Sequence, residues 1–230
     1  MGNGVMGGLH GRVLRRLGAR VVTVDPVAPA DHRCLADAPA VDAAVVATPV
    51  DRLAAAVFAL AGMPVLVEKP MCETTRDAAR IAELATRAPV MVGYVERFNP
   101  AVLEVARRAS GIRRIVAWRE GPERPLGGQS LAHLGTHDMA VARMLAPDAT
   151  VAVHTGWART KTRLLRVHAD NGAFEVDYLA RTLNGRVVRG PDPLVAQDRE
   201  FLRRAREWDC RPLDAEAAIV ADLDRRAVAA

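Results

Sequence analysis

The chain has 230 residues, of which 50% are hydrophobic and 26% charged, a composition typical of one large or two compact globular domains. Basic residues give a formal charge of +5 but are mixed with acidic ones, and aromatic residues make up only 4%, which disfavours nucleic acid as a partner. No apolar run has membrane-spanning length and no leader-like segment opens the chain, so no membrane contact is expected. The isolated cysteines Cys34, Cys72 and Cys210 favour a reducing, cytoplasmic location.

The first part of the chain alternates helical and strand patterns. Helices are predicted over residues 5–17, 51–60 and 74–85, and strands over residues 20–24, 41–47, 65–67 and 89–95. Strands that alternate with helices at this spacing form βαβ units, in which the strands are parallel. We therefore expect an α/β domain over residues 1–95.

The second part of the chain has a different pattern. Helices are predicted over residues 99–110, 131–145, 193–208 and 214–229, and strands over residues 114–119, 150–158, 163–167, 173–179 and 186–189. Asn171-Gly172 and Asn184-Gly185 are typical hairpin turns, and consecutive hairpins favour an antiparallel sheet. We expect an α+β domain with a mostly antiparallel, open sheet over residues 96–230.

A Gly-x-Gly-x-x-Gly stretch precedes the first predicted helix. Its small residues let the backbone approach a pyrophosphate, which free N–H groups and the positive end of the helix dipole would stabilise. The predicted contacts are the glycines and the first helical residues, Gly2, Gly4, Val5, Met6 and Gly7. Asp25, about 20 positions on, can bind the ribose 2′-OH of NAD and would repel the 2′-phosphate of NADP. The alternative is that Asp25 is a turn residue before Pro26.

The start of the chain departs from this pattern. A dinucleotide-binding fold places a central strand before the first glycine, and here only Met1 precedes Gly2. Either the start lies elsewhere or the sheet lacks its first strand, which would leave neighbouring strand edges unpaired. Cofactor binding by these 230 residues depends on which of the two holds.

Glu68-Lys69-Pro70 ends the predicted strand over residues 65–67. The carboxyl ends of strands are where open α/β sheets bind ligands. Only Lys69 and Lys161 among the 32 basic residues are lysines, which favours a site for a compact ammonium group at Lys69. Pro70 restricts the backbone of Lys69 to extended conformations. The alternative is a surface lysine that follows a strand.

Five motifs, in this order, resemble the Gfo/Idh/MocA oxidoreductases over residues 1–145. They are Gly2-x-Gly4-x-x-Gly7-x-x-His10, Val45-Val46-Ala47-Thr48-Pro49, Glu68-Lys69-Pro70, Gly93 with Arg97-Phe98-Asn99-Pro100, and His137-Asp138. The resemblance implies an N-terminal Rossmann domain, a C-terminal α+β domain, and NAD(P)-dependent oxidation or reduction of a sugar, cyclitol or nucleotide sugar. The stretches at residues 97–100 and 118–122 look most like nucleotide-sugar 3-dehydrogenases.

The resemblance also implies roles for single residues. His137 is similar to the catalytic histidine that exchanges a proton with the reacting hydroxyl, and Lys69 to the lysine that polarises the reacting oxygen. Cofactor contacts are implied for Thr48, Pro49, Glu68 and Lys69, and substrate contacts for Arg97, Asn99, Trp118 and Asp138. Alternatively, His137 is a core histidine, Arg97 and Asn99 hold the two domains together, and Trp118 packs in the core.

His133 stands where related enzymes commonly carry an aspartate that binds the substrate hydroxyl. His133 and His137 would share one face of a helix, so they either divide the acid-base role or the task of the carboxylate is lost. A zinc site is disfavoured because residue 134 is leucine and no third ligand is evident. No metal is expected.

Two further functions remain open. One is a degenerate, non-catalytic family member that acts as a binding or partner protein, and the other is a keto or imine reductase of secondary metabolism. For the enzyme, the expected partners are NAD, a small sugar or nucleotide-sugar substrate, and copies of the chain itself. An exposed sheet in the second domain would favour a homodimer or homotetramer.

Overall fold

The computed structural model describes residues 1–122 and 134–228. The chain divides into two compact units, one formed by Met1–Gly93 with Leu194–Ala230 and the other by Tyr94–Pro193. The boundary after Gly93 lies close to the predicted one. The C-terminal segment, however, belongs to the first unit, because its last helix packs on a helix of that unit and Asp224 accepts hydrogen bonds from the N–H and hydroxyl of Thr75.

The first unit contains a parallel sheet with helices in its connections. Its strands are β1 (Ala44–Val46), β2 (Val65–Val67) and β3 (Val90–Val92), paired in the order β1-β2-β3. The connecting helices are α2 (Val50–Ala59) and α3 (Thr75–Ala85), and α3 is capped by Thr74, whose side chain accepts from the N–H of Asp77. β2 and β3 are buried throughout, as expected for strands covered on both faces. The predicted βαβ units are confirmed.

The first residues of the chain lie beside β1 and lead into a helix. Helix α1 spans Val5–Arg16. The carbonyl of Met1 accepts from the N–H of Ala47, and the N–H of Gly2 donates to the carbonyl of Val24. Met1 and Gly2 therefore lie between Val24 and the end of β1.

The predicted strand over residues 20–24 is wrong. Within these residues only Val24 pairs, in an isolated parallel bridge with His32. The N–H of His32 donates to the carbonyl of Thr23, and the N–H of Gly2 to that of Val24. Among the described residues these contacts do not extend into a ladder along residues 20–22, and a strand without a ladder partner does not form.

The second unit is built on one mixed sheet. The described strands are β4 (Arg114–Gly121), β5 (Thr150–Trp157), β6 (Thr162–Ala169), β7 (Gly172–Asp177), β8 (Thr182–Leu183) and β9 (Arg186–Val187). Their order is β5-β4-β6-β7-β8-β9, in which β4 and β5 are parallel and all other neighbours antiparallel. The fold class is therefore as predicted.

The two hairpins test the turn predictions. Leu183 pairs with Arg186, and the intervening Asn184 and Gly185 have φ of 49° and 74°, as a two-residue hairpin turn requires. The turn between β6 and β7 lies one residue before the predicted one. Ala169 pairs with Gly172, so Asp170 and Asn171 form this turn and Gly172 begins the next strand.

Helices cover one face of this sheet. A 3-10 helix (Val95–Phe98) leads into α4 (Pro100–Arg108), and α5 (Thr136–Leu145) follows β4 in the chain. Alternate residues of β4 face the core, including the fully buried Ile115 and Ala117. The first part of the predicted helix over residues 131–145, including His133, lies outside the described residues.

The chain ends with α6 (Pro193–Glu207) and α7 (Asp214–Val228), and a short 3-10 helix spans Leu35–Asp37. In residues 1–122 and 134–228, no helix is both long enough and apolar enough to cross a bilayer.

Candidate active site

The glycine stretch forms a tight turn that leads into α1 and packs against Ala47, the residue after β1. Gly2 has a φ of +83°, and a Cβ there would lie 2.5 Å from the carbonyl oxygen of Ala47. A Cβ at Gly7 would overlap the carbonyl oxygen of Gly2. A Cβ at Gly4, by contrast, would meet no atom within 4 Å. Gly2 and Gly7 are thus required by packing, whereas Gly4 keeps its side of the loop open to an approaching group.

The open side of this loop has the properties of an anion site. Gly4 caps α1 without a side-chain hydrogen bond, and the first helical turn, with Val5, Met6 and Gly7, contains no acidic residue. First-turn N–H groups have no acceptor within their helix, and they lie at the positive end of its dipole. Nearby, the Thr48 hydroxyl is buried and has no hydrogen-bond partner among the described residues. These features fit a bound dinucleotide.

Asp25 adjoins the same loop. Its Oδ2 accepts from the N–H of Asn3 at 2.7 Å, and its Oδ1 accepts from the N–H groups of Val27 and Ala28 at 2.8 Å. Hydrogen bonds from these backbone groups, first of all from Asn3, lower the pKa of Asp25. The carboxylate therefore shapes the turn, as the alternative interpretation held, and also carries a negative charge beside the glycine loop. Pro49, also predicted at the cofactor, is the exposed N-cap of α2.

A buried cluster of three titratable side chains lies behind this loop. His10 of α1 contacts Asp198 of α6 through Nδ1 at 2.8 Å and Glu68, directly after β2, through Nε2 at 3.1 Å. The exposed fractions of His10, Asp198 and Glu68 are 1%, 0% and 8%. Burial alone would lower the pKa of His10, but the hydrogen bonds and charges of Asp198 and Glu68 raise it to about 9. His10 is therefore an imidazolium at neutral pH.

Gly93 makes room for this cluster. A Cβ at this position would lie 2.8 Å from Oε1 of Glu68, so only glycine lets the carboxylate reach His10. The other oxygen, Oε2, is 3.4 Å from the N–H of Lys69. Lys69 itself is half-buried and is joined to Pro70 by a cis peptide bond. The carboxylate of Glu68 contacts His10. The cofactor contact predicted for Glu68 stays a prediction.

His137 is the second residue of α5 in the second unit. Its ring meets the ring of Tyr94 edge-on, at 6.4 Å between centroids. The next residue, Asp138, is buried and receives two hydrogen bonds from Arg119 of β4, at 2.6 and 3.1 Å. This bidentate pair fixes the start of α5 to the sheet, and with it the backbone of His137.

Arg119 is the centre of a second buried charge cluster. It also contacts Glu96 at 3.3 Å, and Glu96 contacts Arg163 at the same distance. The guanidinium of Arg119 lies 5.0 Å from the ring centre of Tyr178. Burial opposes its charge, but the carboxylate of Asp138 outweighs this and raises the pKa of Arg119. The sequence does not predict this role for Arg119, since nothing in it indicates that a strand arginine is buried.

The predicted substrate residues of the second unit make contacts within that unit. Asp138 uses both carboxylate oxygens for Arg119. Asn99 is buried and caps α4 by accepting from the N–H of Ala101, and it donates to Glu96 and to the carbonyl of Tyr178. Arg97 donates to the carbonyl of Ala140. A structural role accounts for the contacts of Asn99 and Asp138, and their proposed contacts with substrate remain predictions.

Trp118 lies on the other face of the sheet. Its ring stacks on His154 at 5.6 Å with an interplanar angle of 13°, and Arg166 lies 5.9 Å from the ring centre. It borders a shallow cavity of about 310 Å³ whose lining also includes Glu120, Thr162, Leu164, Leu165, Arg166 and Glu175. Trp118 is half-buried, so the alternative of full core packing does not apply.

The remaining candidates divide between the units. Lys69 belongs to the first unit and His137 to the second, and His133 lies outside the described residues. Within the part of the chain that the structure describes, no group of three or more His, Cys, Asp or Glu side chains is arranged to hold a metal ion.

The family comparison matches this geometry. Residues 12–95 match the profile described as "Oxidoreductase family, NAD-binding Rossmann fold", that of the Gfo/Idh/MocA proteins. Over these residues the chain is similar to the Gfo/Idh/MocA oxidoreductases. The resemblance inferred from the sequence motifs is thus confirmed.

Two curated relatives come from Saccharopolyspora erythraea. Inositol 2-dehydrogenase 2 is 30% identical over 151 residues, which cover 56% of this chain and 44% of the relative. Inositol 2-dehydrogenase 1 is 37% identical over 131 residues, covering 46% and 39%. The aligned part of the chain thus spans less than half the length of these two relatives.

Solved structures extend the likeness to the whole fold. UDP-N-acetylglucosamine 3-dehydrogenase from Acidithiobacillus ferrooxidans superposes with a TM-score of 0.84 at 19% identity, covering 99% of this chain and 95% of that one. A levoglucosan dehydrogenase in complex with NADH gives 0.83 at 15% identity, covering 99% and 95%. A myo-inositol dehydrogenase from Corynebacterium glutamicum gives 0.80 at 14% identity, covering 99% and 94%. The chain therefore has the fold of these proteins over both units.

Proposed function

We propose that this protein is an NAD-dependent oxidoreductase that transfers hydride between the nicotinamide and a secondary alcohol or ketone of a sugar, cyclitol or nucleotide sugar. The observation that carries the proposal is the glycine loop of the first unit. A Cβ at Gly4 would meet no described atom within 4 Å, and Thr48 offers a buried hydroxyl that no described residue binds. The match of residues 12–95 to the profile of an NAD-binding family supports the same conclusion.

The chain's own groups define how the dinucleotide would be held. The first N–H groups of α1, at Val5, Met6 and Gly7, would donate to the pyrophosphate. A bound NAD would supply the hydride acceptor, and NADH the donor. Asp25, ionised beside the loop, would accept from the ribose 2′-OH and repel a 2′-phosphate, which favours NAD over NADP.

Proton transfer would depend on two side chains. The ammonium of Lys69 would donate a hydrogen bond to the reacting oxygen and stabilise its developing negative charge. The imidazole of His137 would take the hydroxyl proton during oxidation and return it during reduction, because histidine titrates near neutrality. In this proposal Lys69 and His137 are the catalytic pair, and His133 shares or modifies the role of His137.

The substrate class is proposed from the relatives. The curated relatives are named as inositol dehydrogenases, and one structural neighbour as a UDP-N-acetylglucosamine 3-dehydrogenase. What these named substrates share is a ring with neighbouring secondary hydroxyls. Arg97 is the candidate for a contact to such a ring. Trp118 presents a flat aromatic surface on which a sugar face could stack, but it lies on the face of the sheet opposite α5 and stacks on His154, so a sugar bound there would lie apart from His137.

The proposal is tested by measuring NADH formation from NAD with myo-inositol and UDP-N-acetylglucosamine, with NADP as the cofactor control. We expect turnover with NAD, and loss of at least about 100-fold in kcat for Lys69→Met because an electrostatic contact to the reacting oxygen is removed. Lys161→Met is the matched control, because Lys161 is the other lysine and is exposed.

Three outcomes would contradict the proposal. The first is the absence of any NADH binding, which is the result expected of a degenerate binding protein. The second is full activity of Lys69→Met. The third is turnover with NADH only of ketones or imines that are neither sugars nor cyclitols.

A further inference from the structure

We propose that His10 is a positioning residue, an imidazolium that joins Glu68 to Asp198 and thereby fixes the Glu68-Lys69 segment in the orientation that the reaction needs. The inference rests on the proposed function for the role of Lys69. It goes beyond that function because it assigns a task to two side chains, His10 and Asp198, that neither cofactor binding nor proton transfer uses.

The first argument is geometric. The three side chains come from separate parts of the first unit, namely α1, the segment after β2, and α6. Each nitrogen of His10 meets one carboxylate, Asp198 at 2.8 Å and Glu68 at 3.1 Å. One ring thus ties the helix of the glycine loop to the segment that carries Lys69 and to the C-terminal part of the unit.

The second argument concerns charge. Two carboxylates this deeply buried would repel each other and would be poorly solvated without a cation between them. His10 is almost completely buried and is the residue that lies within hydrogen-bond distance of both. A neutral imidazole could donate to only one of them. The protonated ring can donate to both ionised carboxylates at once.

The third argument is how the effect reaches Lys69. The carboxylate of Glu68 has His10 on one oxygen and the N–H of Lys69 near the other, at 3.4 Å. Gly93 leaves the space in which this carboxylate lies. If His10 loses its charge, Glu68 loses its strongest partner and is free to rotate. The backbone of Lys69, which adjoins that carboxylate, would then be held less firmly.

The proposal is tested first without substrate or cofactor. Protein labelled with nitrogen-15 at lysine gives two backbone amide signals, because the chain has two lysines, Lys69 and Lys161. We expect the order parameter of the Lys69 amide to fall from about 0.85 towards about 0.6 in His10→Gln, with that of Lys161 unchanged. Equal values for Lys69 in the wild type and His10→Gln would overturn the proposal.

Kinetics provide the second readout. We expect His10→Gln to lower kcat by roughly 10-fold to 100-fold, since small misplacements of a catalytic group are costly, while KM and the dissociation constant for NADH change less than about 3-fold. His168→Gln, an exposed histidine in the second unit, is the matched control. If NADH affinity falls by the same factor as kcat and the melting temperature also falls, the variant is generally damaged, and the proposal is overturned.

A milder variant covers the case in which His10→Gln does not fold. Asp198→Asn leaves the contact between His10 and Glu68 in place, and we expect a smaller effect of the same kind on Lys69. If both variants fold, the double variant should be no worse than His10→Gln alone, because the three groups act as one unit. Additive losses would overturn the proposal. If the wild type shows no turnover, the proposed function fails, and the amide measurement still decides the role of His10.

Discussion

The two units each contain a buried charge cluster beside a proposed catalytic residue, but they use different cations. In the first unit His10 joins Glu68, the neighbour of Lys69, to Asp198. In the second unit Arg119 binds Asp138, the neighbour of His137. Arginine keeps its charge at every ordinary pH, whereas histidine can lose its proton. The contacts of the His10 cluster, which hold the segment of Lys69, should therefore depend on pH. The contacts of the Arg119 cluster, which hold the segment of His137, should not.

The largest expected effect is a loss of stability when the second cluster, centred on Arg119, is broken. Arg119→Met would leave Asp138 and Glu96 buried without their partner, and breaking a buried pair in this way costs about 3–5 kcal/mol of unfolding free energy. Urea denaturation measures this loss. Arg113→Met is the control, because Arg113 and its partner Asp170 are exposed and such pairs contribute little. A loss below about 1 kcal/mol for Arg119→Met would show that the second cluster is not what holds α5.

The next largest effect is a pH dependence of stability that only the His10 cluster should show. The pKa of His10 is raised from its usual 6.5 to about 9, so the native state binds the proton more tightly than the unfolded chain. Its contribution to stability is fully present below pH 6.5 and is lost as the pH rises through about 9. We expect roughly 2–3 kcal/mol less unfolding free energy at the alkaline end than at pH 6.5.

Denaturation series at several pH values measure this change. The part contributed by His10 should disappear in His10→Gln and persist in a destabilised variant of the second cluster. The same pH slope in the wild type and His10→Gln would mean that His10 is not charged in the folded protein.

A smaller effect is expected from crowding the first cluster. Gly93→Ala places a Cβ 2.8 Å from Oε1 of Glu68, so the carboxylate must move away from His10. We expect a loss of about 1–3 kcal/mol, as for other overpacked sites, together with a weaker alkaline dependence. Gly62→Ala is not a suitable control because of its positive φ, whereas Gly8→Ala has space and an ordinary φ. Unchanged stability of Gly93→Ala would contradict the contact between Glu68 and His10.

Local sequence patterns predicted most of the elements, and long-range contacts account for what they missed. The apolar run at residues 65–67 and the cap at Thr74 are local signals, and both are observed. The pairing of His10 with Asp198 joins residues 188 positions apart, so no local pattern could reveal it. The strand expected over residues 20–24 failed for the same reason, because a strand needs a neighbour that its own residues do not specify.

The candidate site shows the same division. The glycine pattern predicted a loop whose backbone a pyrophosphate can approach. It did not predict that Gly2 and Gly7 are required by packing, because the contact of Gly2 with Ala47 joins distant parts of the chain. It did not predict that Asp138 and Asn99 are buried in polar contacts, because a polar side chain at a helix start looks the same in sequence whether it faces a ligand or the core. A histidine three residues after the last glycine, together with Glu68 in a second motif, is the signal that could have indicated the first cluster.

The central claim, that the glycine loop of the first unit binds a dinucleotide, is tested most directly by titrating NADH fluorescence on the wild type and on Gly4→Val. A Cβ at Gly4 would meet no described atom within 4 Å, so we expect only the modest loss of stability caused by a poorer N-cap. We also expect at least about 10-fold weaker binding of NADH, since the side chain occupies the approach of the pyrophosphate. Equal affinity of the two proteins, or no binding by the wild type, would contradict the account.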